Sequence, residues 1–191
     1  MTKETDRERQ ARIYPIILSE YNSLWPEWYR EEKEKLIQII GMENITRISH
    51  YGSTSVPGLF AKPTIDILLE ISETADVEKL IANMSLPEYI FLAEEHLTLP
   101  TASTRFMFLK GYLSNGFAEK VYHIHVRHFG DWDELYFRDY LIANPETAME
   151  YANLKRSLWR DFEHDRDGYT EAKGEFIRRI TKKARCFGTA P

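Results

Sequence analysis

The sequence predicts an α+β fold, a single body whose strands fall in the first two thirds of the chain and whose helices collect towards the C-terminus. Three observations carry that expectation. Short stretches between Ile45 and His128 alternate apolar and polar side chains with the period of a strand; from Asp131 the apolar spacing lengthens to that of a helix; and no linker, internal repeat or low-complexity tract divides the 191 residues. A 43% hydrophobic and 13% aromatic content is enough for a substantial core, which argues against wholesale disorder. The expected division is a charged extension over 1–12 and one domain over 13–188, its C-terminal helices starting near 132.

Ile13 to Leu18 reads as a short extended segment. Tyr21, Leu24, Trp25, Trp28 and Tyr29 then cluster around Pro26, which suits a first helical turn because its missing N–H would have no partner there. The helix runs from about Pro26 to Ile40, with Trp25, Trp28, Tyr29, Leu36, Ile37 and Ile40 on one face, and Gly41 ends it. Ile45 to His50 is a first strand. Thr64 to Ile71 is a second, with Ile65, Ile67, Leu69 and Ile71 on one face and Thr64, Asp66, Leu68 and Glu70 on the other. Asp76 caps a helix from Val77 to Met84, and Pro87 breaks the chain before a strand at Tyr89 to Leu92. Strands at Thr104 to Tyr112 and Val121 to His128 flank the turn residues Ser114, Asn115 and Gly116. Three helical stretches follow, separated at Asn144-Pro145 and at Gly168.

Composition narrows the function classes. The single cysteine, Cys186, excludes an intramolecular disulfide and a thiolate cluster, and points to a cytoplasmic protein. A formal net charge of -5 gives no general attraction to polyanions, so nucleic acid is a disfavoured partner. The charged opening MTKETDRERQ lacks the apolar core of a signal peptide, and no apolar run approaches the roughly 18 residues of a membrane span.

The stretch from His50 to Ile71 concentrates the chemistry. Gly52, Ser53, Thr54 and Ser55 follow a strand directly, where a glycine lets backbone N–H groups approach a phosphate and the hydroxyls add neutral donors; no Gly-Lys-Ser/Thr follows, so this is not a Walker A loop. An ordinary turn is the plainer interpretation. Asp66 stands among Ile65, Ile67, Leu68 and Leu69, where a carboxylate is costly unless paired or coordinated. It is either a structural partner of Arg105 or Lys62, or the ligand of a magnesium ion bridging to substrate phosphates. His123 and His125 share one strand face, able to contact phosphate, exchange protons, bind a metal or simply hydrogen-bond; a zinc site would need a further ligand, which no cysteine or HExxH motif supplies. Arg105 and Lys110 have opposite parity, and Arg105, with its bidentate fork, is the better phosphate contact; Lys62 is a second. The aromatics of the later helices read as packing, and the alternating charges from Lys155 to Asp167 as a wet surface.

Taken together, HYGSTSVPGLFAKPTIDI, YHIHV, FRDYLIANPETAMEYANLK and YTEAKGEFI, with EYNSLWPEWYREE ahead of them, resemble the GrpB family of the nucleotidyltransferase superfamily, a family also found fused to dephospho-CoA kinase. The resemblance implies a nucleotidyltransferase-like mixed sheet with flanking helices, Gly52-Ser53 as the phosphate loop, Asp66 as the first metal-binding acid and Mg2+ as cofactor. It also exposes a departure. Leu68 occupies the place of the second acid, and YHIHV presents His123 and His125 where a third is expected; Glu70 lies roughly 13 Å from Asp66 along the strand, too far to substitute.

Two functions follow as expectations. One is metal-assisted transfer of a nucleotidyl group from a nucleoside triphosphate, with Gly52, Ser53 and Ser55 on phosphate, Asp66 on magnesium, Arg105 neutralising charge and His123 or His125 moving a proton. The other is a module that binds a nucleotide or a CoA-like metabolite without transfer.

Overall fold

Strand β2 (Ile65–Ile71) runs through a five-stranded sheet in the computed structural model, which describes residues 5–93 and 105–187. The sheet order is β1-β2-β5-β4-β3, with β1 (Ile45–Tyr51), β3 (Tyr89–Ala93), β4 (Arg105–Leu113) and β5 (Gly116–His128). All neighbours pair antiparallel except β2 and β5, which run parallel with Asp66 beside His123 and Leu68 beside His125. Thr104, expected to open β4, lies outside the described residues.

One face of the sheet is apolar. Ile65, Ile67, Leu69 and Ile71 join Phe106, Phe108, Tyr122, Ile124 and Val126, covered by helix α2 (Trp25–Ile40) and by α3 (Val77–Asn83) through Leu80. Trp25, Trp28, Leu36 and Ile40 recur on one side of α2, and each such burial contributes about 1.5–3 kcal/mol. Pro26 sits in its first turn, and Gly41, at φ +87°, ends it with an N–H bond back to Ile37. Asp76 caps α3. The parity argument on β4 holds: Lys110 points to this apolar side, where its ammonium meets Glu32 beside Tyr89, away from Arg105.

The other face carries Asp66, Leu68 and Glu70, and four helices close over it: α4 (Asp133–Ala143), α5 (Pro145–Trp159), α6 (Arg166–Ala172) and α7 (Gly174–Phe187). A second cluster joins Ile16, Leu18, Val56, Leu59 and Phe60 to Leu141, Tyr151, Ala152 and Tyr169. The expected extended segment at Ile13 to Leu18 is not a sheet strand; helix α1 (Asp6–Ile13) ends there, and an isolated bridge nearby joins Ser19 to Ala61. Gly168, expected as a breaker, lies inside α6. Its N–H is held by the capping carboxylate of Asp165, and a Cβ there would collide with that carboxylate and with Phe162, so glycine serves the cap rather than interrupting the helix. Among the described residues no helix is long and apolar enough to cross a membrane.

Glu70 is fully buried and satisfied by the Arg47 guanidinium, by the Gly130 N–H at 3.1 Å and by the Trp132 indole N–H at 2.9 Å. This network ties β1, β2 and the entrance to α4 together. Glu70→Ala leaves those donors without their acceptor and is expected to cost about 3–5 kcal/mol, measured as a lower urea midpoint at unchanged slope.

Candidate functional site

The turn after β1 places its residues by a backbone constraint. Gly52 has φ +71°, and a Cβ on it would run into the carboxylate of Asp66, so the loop reaches the acid only with glycine here. Ser53–Ser55 then form one turn of 3-10 helix. Thr54 is 1% exposed, and its hydroxyl donates to the Thr64 carbonyl at 3.0 Å. The His50 ring nitrogen Nε2 lies 3.0 Å from the same oxygen; with that hydroxyl's proton already committed, Nε2 carries the hydrogen and donates. The Ser55 hydroxyl donates to the Gly52 carbonyl at 2.6 Å. Thr54 and Ser55 thus direct their side chains into the loop itself, and Ser53 alone of the three hydroxyls faces a pocket, its Oγ accepting from Lys155 Nζ at 3.1 Å.

That pocket has a volume of about 200 Å3 and joins Ser53, Lys62, Thr64, Asp66 and His123 to Lys155, Arg166, Tyr169 and Lys173. Among the described residues none of the four basic groups forms an ion pair. Lys155 is 2% exposed, and burial together with the charges of Lys173 and Arg156 brings its ammonium down to about 7. Burial and the neighbouring Arg166 charge lower Lys62 and Lys173 to about 8 each, against an opposing pull from Asp66. The Tyr169 hydroxyl is buried with no partner among the described residues.

At the pocket floor, Asp66 Oδ1 lies 3.3 Å from His123 Nδ1. The Tyr112 hydroxyl is 2.7 Å from His123 Nε2, and Arg166, which can only donate, approaches the same nitrogen at 3.4 Å. Nε2 is therefore the acceptor, and the ring hydrogen sits on Nδ1, facing Asp66. A register break beside Gly111, at φ +86°, turns Tyr112 onto this face of β4. Burial raises Asp66, but the contact with His123 and the fields of His123, His125 and Lys62 outweigh it and hold the acid below the usual carboxylate range. Burial lowers both imidazoles, His125 to about 4. Asp66, His123 and His125 each offer one donor atom within 4.8 Å of the others.

The structure thus gathers Gly52, Ser53, Lys62, Asp66, His123 and His125 in one place. Arg105 is elsewhere: it shares the face of Asp66 but pairs with Arg127 at the far end of the strand, exposed, its guanidinium 5.3 Å from the Trp132 ring. Leu68 is 1% exposed and packs between Tyr51 and Leu135, so the position of an expected second acid belongs to a small apolar cluster. The wet surface expected from Lys155 to Asp167 is corrected at Lys155, which is buried; Arg166 is exposed as expected and also lines the pocket. A signal existed for Lys155: it stands in the spacing Tyr151, Leu154, Lys155, Leu158, inside the apolar stripe of α5. A second pocket, about 670 Å3, shares Ser53 and is lined by Tyr51, Phe137, Tyr151 and Ile177.

Comparison with known proteins agrees with this architecture. The family model described as "GrpB protein" matches residues 15–183. A UPF0157 protein of Pseudomonas aeruginosa is 36% identical over 161 residues, 84% of this chain and 64% of that protein, so the chain spans under two thirds of that relative's length. The glutamate-rich protein GrpB of Alkalihalophilus pseudofirmus is 35% identical over 170 residues, covering 86% of this chain and 93% of the relative. The crystal structure of the conserved protein GrpB from Enterococcus faecalis superposes with a TM-score of 0.74 at 34% identity, covering 88% of this chain and 96% of that one.

The loop geometry has a pH consequence. Burial brings the folded His50 to about 4, against an ordinary value near 6.5. The unfolded chain takes up that proton first, so this residue's contribution to stability is full above about pH 6.5 and declines as the pH falls towards 4. His50→Gln is expected to flatten the fall of the urea midpoint between pH 6.5 and 4.5; an unchanged slope would show that His50 is not the group responsible.

Proposed function

The chain belongs to the GrpB family, and on that premise we propose that it binds a nucleotide or CoA-like phosphorylated metabolite, with the phosphates in the basic pocket beside Gly52-Ser53. One observation carries the reading. Lys62, Lys155, Arg166 and Lys173 converge on about 200 Å3 with Asp66 as the pocket's only carboxylate among the described residues. Burying ammonium groups this close together is unfavourable unless an anion is to be met, and three of them have lowered pKa values as a result. A phosphate offers oxygens to the guanidinium fork, to the ammonium groups, to the Ser53 hydroxyl and to the unpaired Tyr169 hydroxyl. The larger aromatic pocket that shares Ser53 has room for a nucleoside.

A second reading, nucleotidyl transfer, is favoured by His123. Its Nε2 is a hydrogen-bond acceptor and its Nδ1–H faces Asp66, an arrangement in which the acid orients the ring and stabilises the imidazolium while Nε2 takes a proton from an acceptor hydroxyl. Transfer releases pyrophosphate, and simple binding does not.

Nucleoside triphosphates and CoA compounds are expected to raise the melting temperature, and the absence of any shift at millimolar ligand would sink the binding reading. Lys155→Met and Arg166→Gln should each weaken binding about tenfold or more, the loss of one charge-assisted contact of about 1.5–3 kcal/mol, while Arg105→Ala changes it less than about twofold.

Proton linkage gives a further expectation. The anion favours the charged lysines, so binding takes up protons and weakens as the pH rises from 7 to 9, seen by calorimetry in buffers of different ionisation enthalpy. Without ligand the sign reverses: unfolded lysines hold their protons to about 10.4 while Lys155, Lys62 and Lys173 release theirs from about 7 to 8, so stability rises over the same interval. Parallel trends would contradict the assignment.

A further inference from the structure

The residues present do not suit the magnesium ions that the family resemblance implies. Magnesium prefers oxygen donors and near-octahedral geometry, and two-metal transfer needs several carboxylates. Here Asp66 is the one carboxylate at the pocket among the described residues. Position 68 is a leucine packed against Tyr51 and Leu135, and Glu70 is fully engaged by Arg47, Gly130 and Trp132. In place of further acids the neighbouring strand presents two imidazoles.

We propose that Asp66, His123 and His125 form a single-ion site for a first-row transition metal, zinc or a similar ion, rather than a magnesium centre. The donor set is two nitrogens and one oxygen, which favours ions that accept imidazole. Its spacing is right. Two ligands of a tetrahedral ion with bonds of about 2.1 Å stand roughly 3.4 Å apart; Asp66 Oδ1 and His123 Nδ1 are already 3.3 Å apart, and all three donors lie within 4.8 Å of one another. The Asp66 to His123 distance is also long for a charge-assisted hydrogen bond, which prefers about 2.7–2.9 Å. An ion there takes the place of the hydrogen on Nδ1.

The surroundings supply what such a site requires. A metal-bound imidazole is oriented by a partner on its other nitrogen, and His123 Nε2 has the Tyr112 hydroxyl at 2.7 Å; with the metal on Nδ1 the hydrogen moves to Nε2, this bond reverses with Tyr112 accepting, and the long 3.4 Å approach of Arg166 to Nε2 is given up. The Tyr51 and His125 rings pack in a T-shaped pair at a centroid distance of 5.5 Å. All three residues sit on adjacent, fully paired strands, Asp66 beside His123 in the parallel register. Asp66 is 25% exposed and lines the basic pocket, so positions remain for water or a ligand oxygen.

The test uses the full chain without nucleotide, so its failure would leave the phosphate-binding reading standing. Chelator-treated protein carrying Cys186→Ser, which removes the exposed thiol as a competing ligand, is titrated calorimetrically with zinc, cobalt(II) and magnesium chlorides. One zinc per chain is expected, cobalt should give a visible absorption band, and magnesium should bind at least about a hundredfold more weakly. Asp66→Asn and His125→Gln should each weaken zinc by about tenfold or more, with circular dichroism and urea midpoints in chelator confirming that the variants fold; if one of the two does not fold, the other decides. His164→Gln, at an exposed residue bonded to the Ala11 carbonyl, should change nothing. Absence of zinc binding, equal affinity for magnesium, or zinc binding that survives both Asp66→Asn and His125→Gln would overturn the proposal.

Discussion

A strand buried on both faces can carry a carboxylate only if something on its polar side answers it, and β2 carries two. Its apolar face is made of Ile65, Ile67, Leu69 and Ile71 against α2. The opposite face runs Asp66, Leu68, Glu70, and the three residues meet three different demands. Glu70 is enclosed by donors and links β1 to the start of α4. Leu68 gives Tyr51 and Leu135 something to pack on. Asp66 is left part-open to a pocket, with the glycine of the preceding turn pressed against it. The alternation of one strand therefore separates a carboxylate enclosed by donors from one open to a pocket by a single apolar spacer.

The helices over this face both shield and charge it. Lys155 from α5, Arg166 from α6 and Lys173 just beyond α6 reach the same pocket, to which Lys62 comes from the segment before β2. An ammonium group buried next to other cations loses hydration without gaining a countercharge, and its lowered proton affinity is the visible result. Such a pocket is stable enough to form but incompletely satisfied, a state typical of ligand sites.

The parts of the fold that depend on local pattern can be read from the sequence. The period of two in β2, Pro26 and Gly41 at the ends of α2, and the Asp76 cap are determined by residues a few positions apart. The same parity assigns Arg105 to the face of Asp66 but cannot say how far along it lies; that depends on the pairing of β4 with β5. The hydroxyls of Thr54 and Ser55 look like phosphate donors in a string of turn residues, and only the folded loop shows them bonded to Thr64 and Gly52 carbonyls. Lys155 is hidden for the opposite reason. Its charge suggests solvent, and its burial comes from helix packing that no short window of sequence contains; Arg166 is exposed as its charge suggests, and only the fold shows that it lines the pocket.

The parallel pairing of β2 with β5 brings Asp66 beside His123 across a wide gap in the chain, which is filled by α3, β3 and β4. A parallel neighbour cannot be reached by a tight turn. The acid and the imidazoles therefore meet only across this pairing: the β4–β5 hairpin can bring Tyr112 to His123, with His125 two residues on, but Asp66 joins them only when β2 and β5, far apart in the chain, have closed. A newly synthesised chain that has made only its local elements has the separate side chains but not their juxtaposition, so the pocket's acid–imidazole cluster is assembled by completion of the topology.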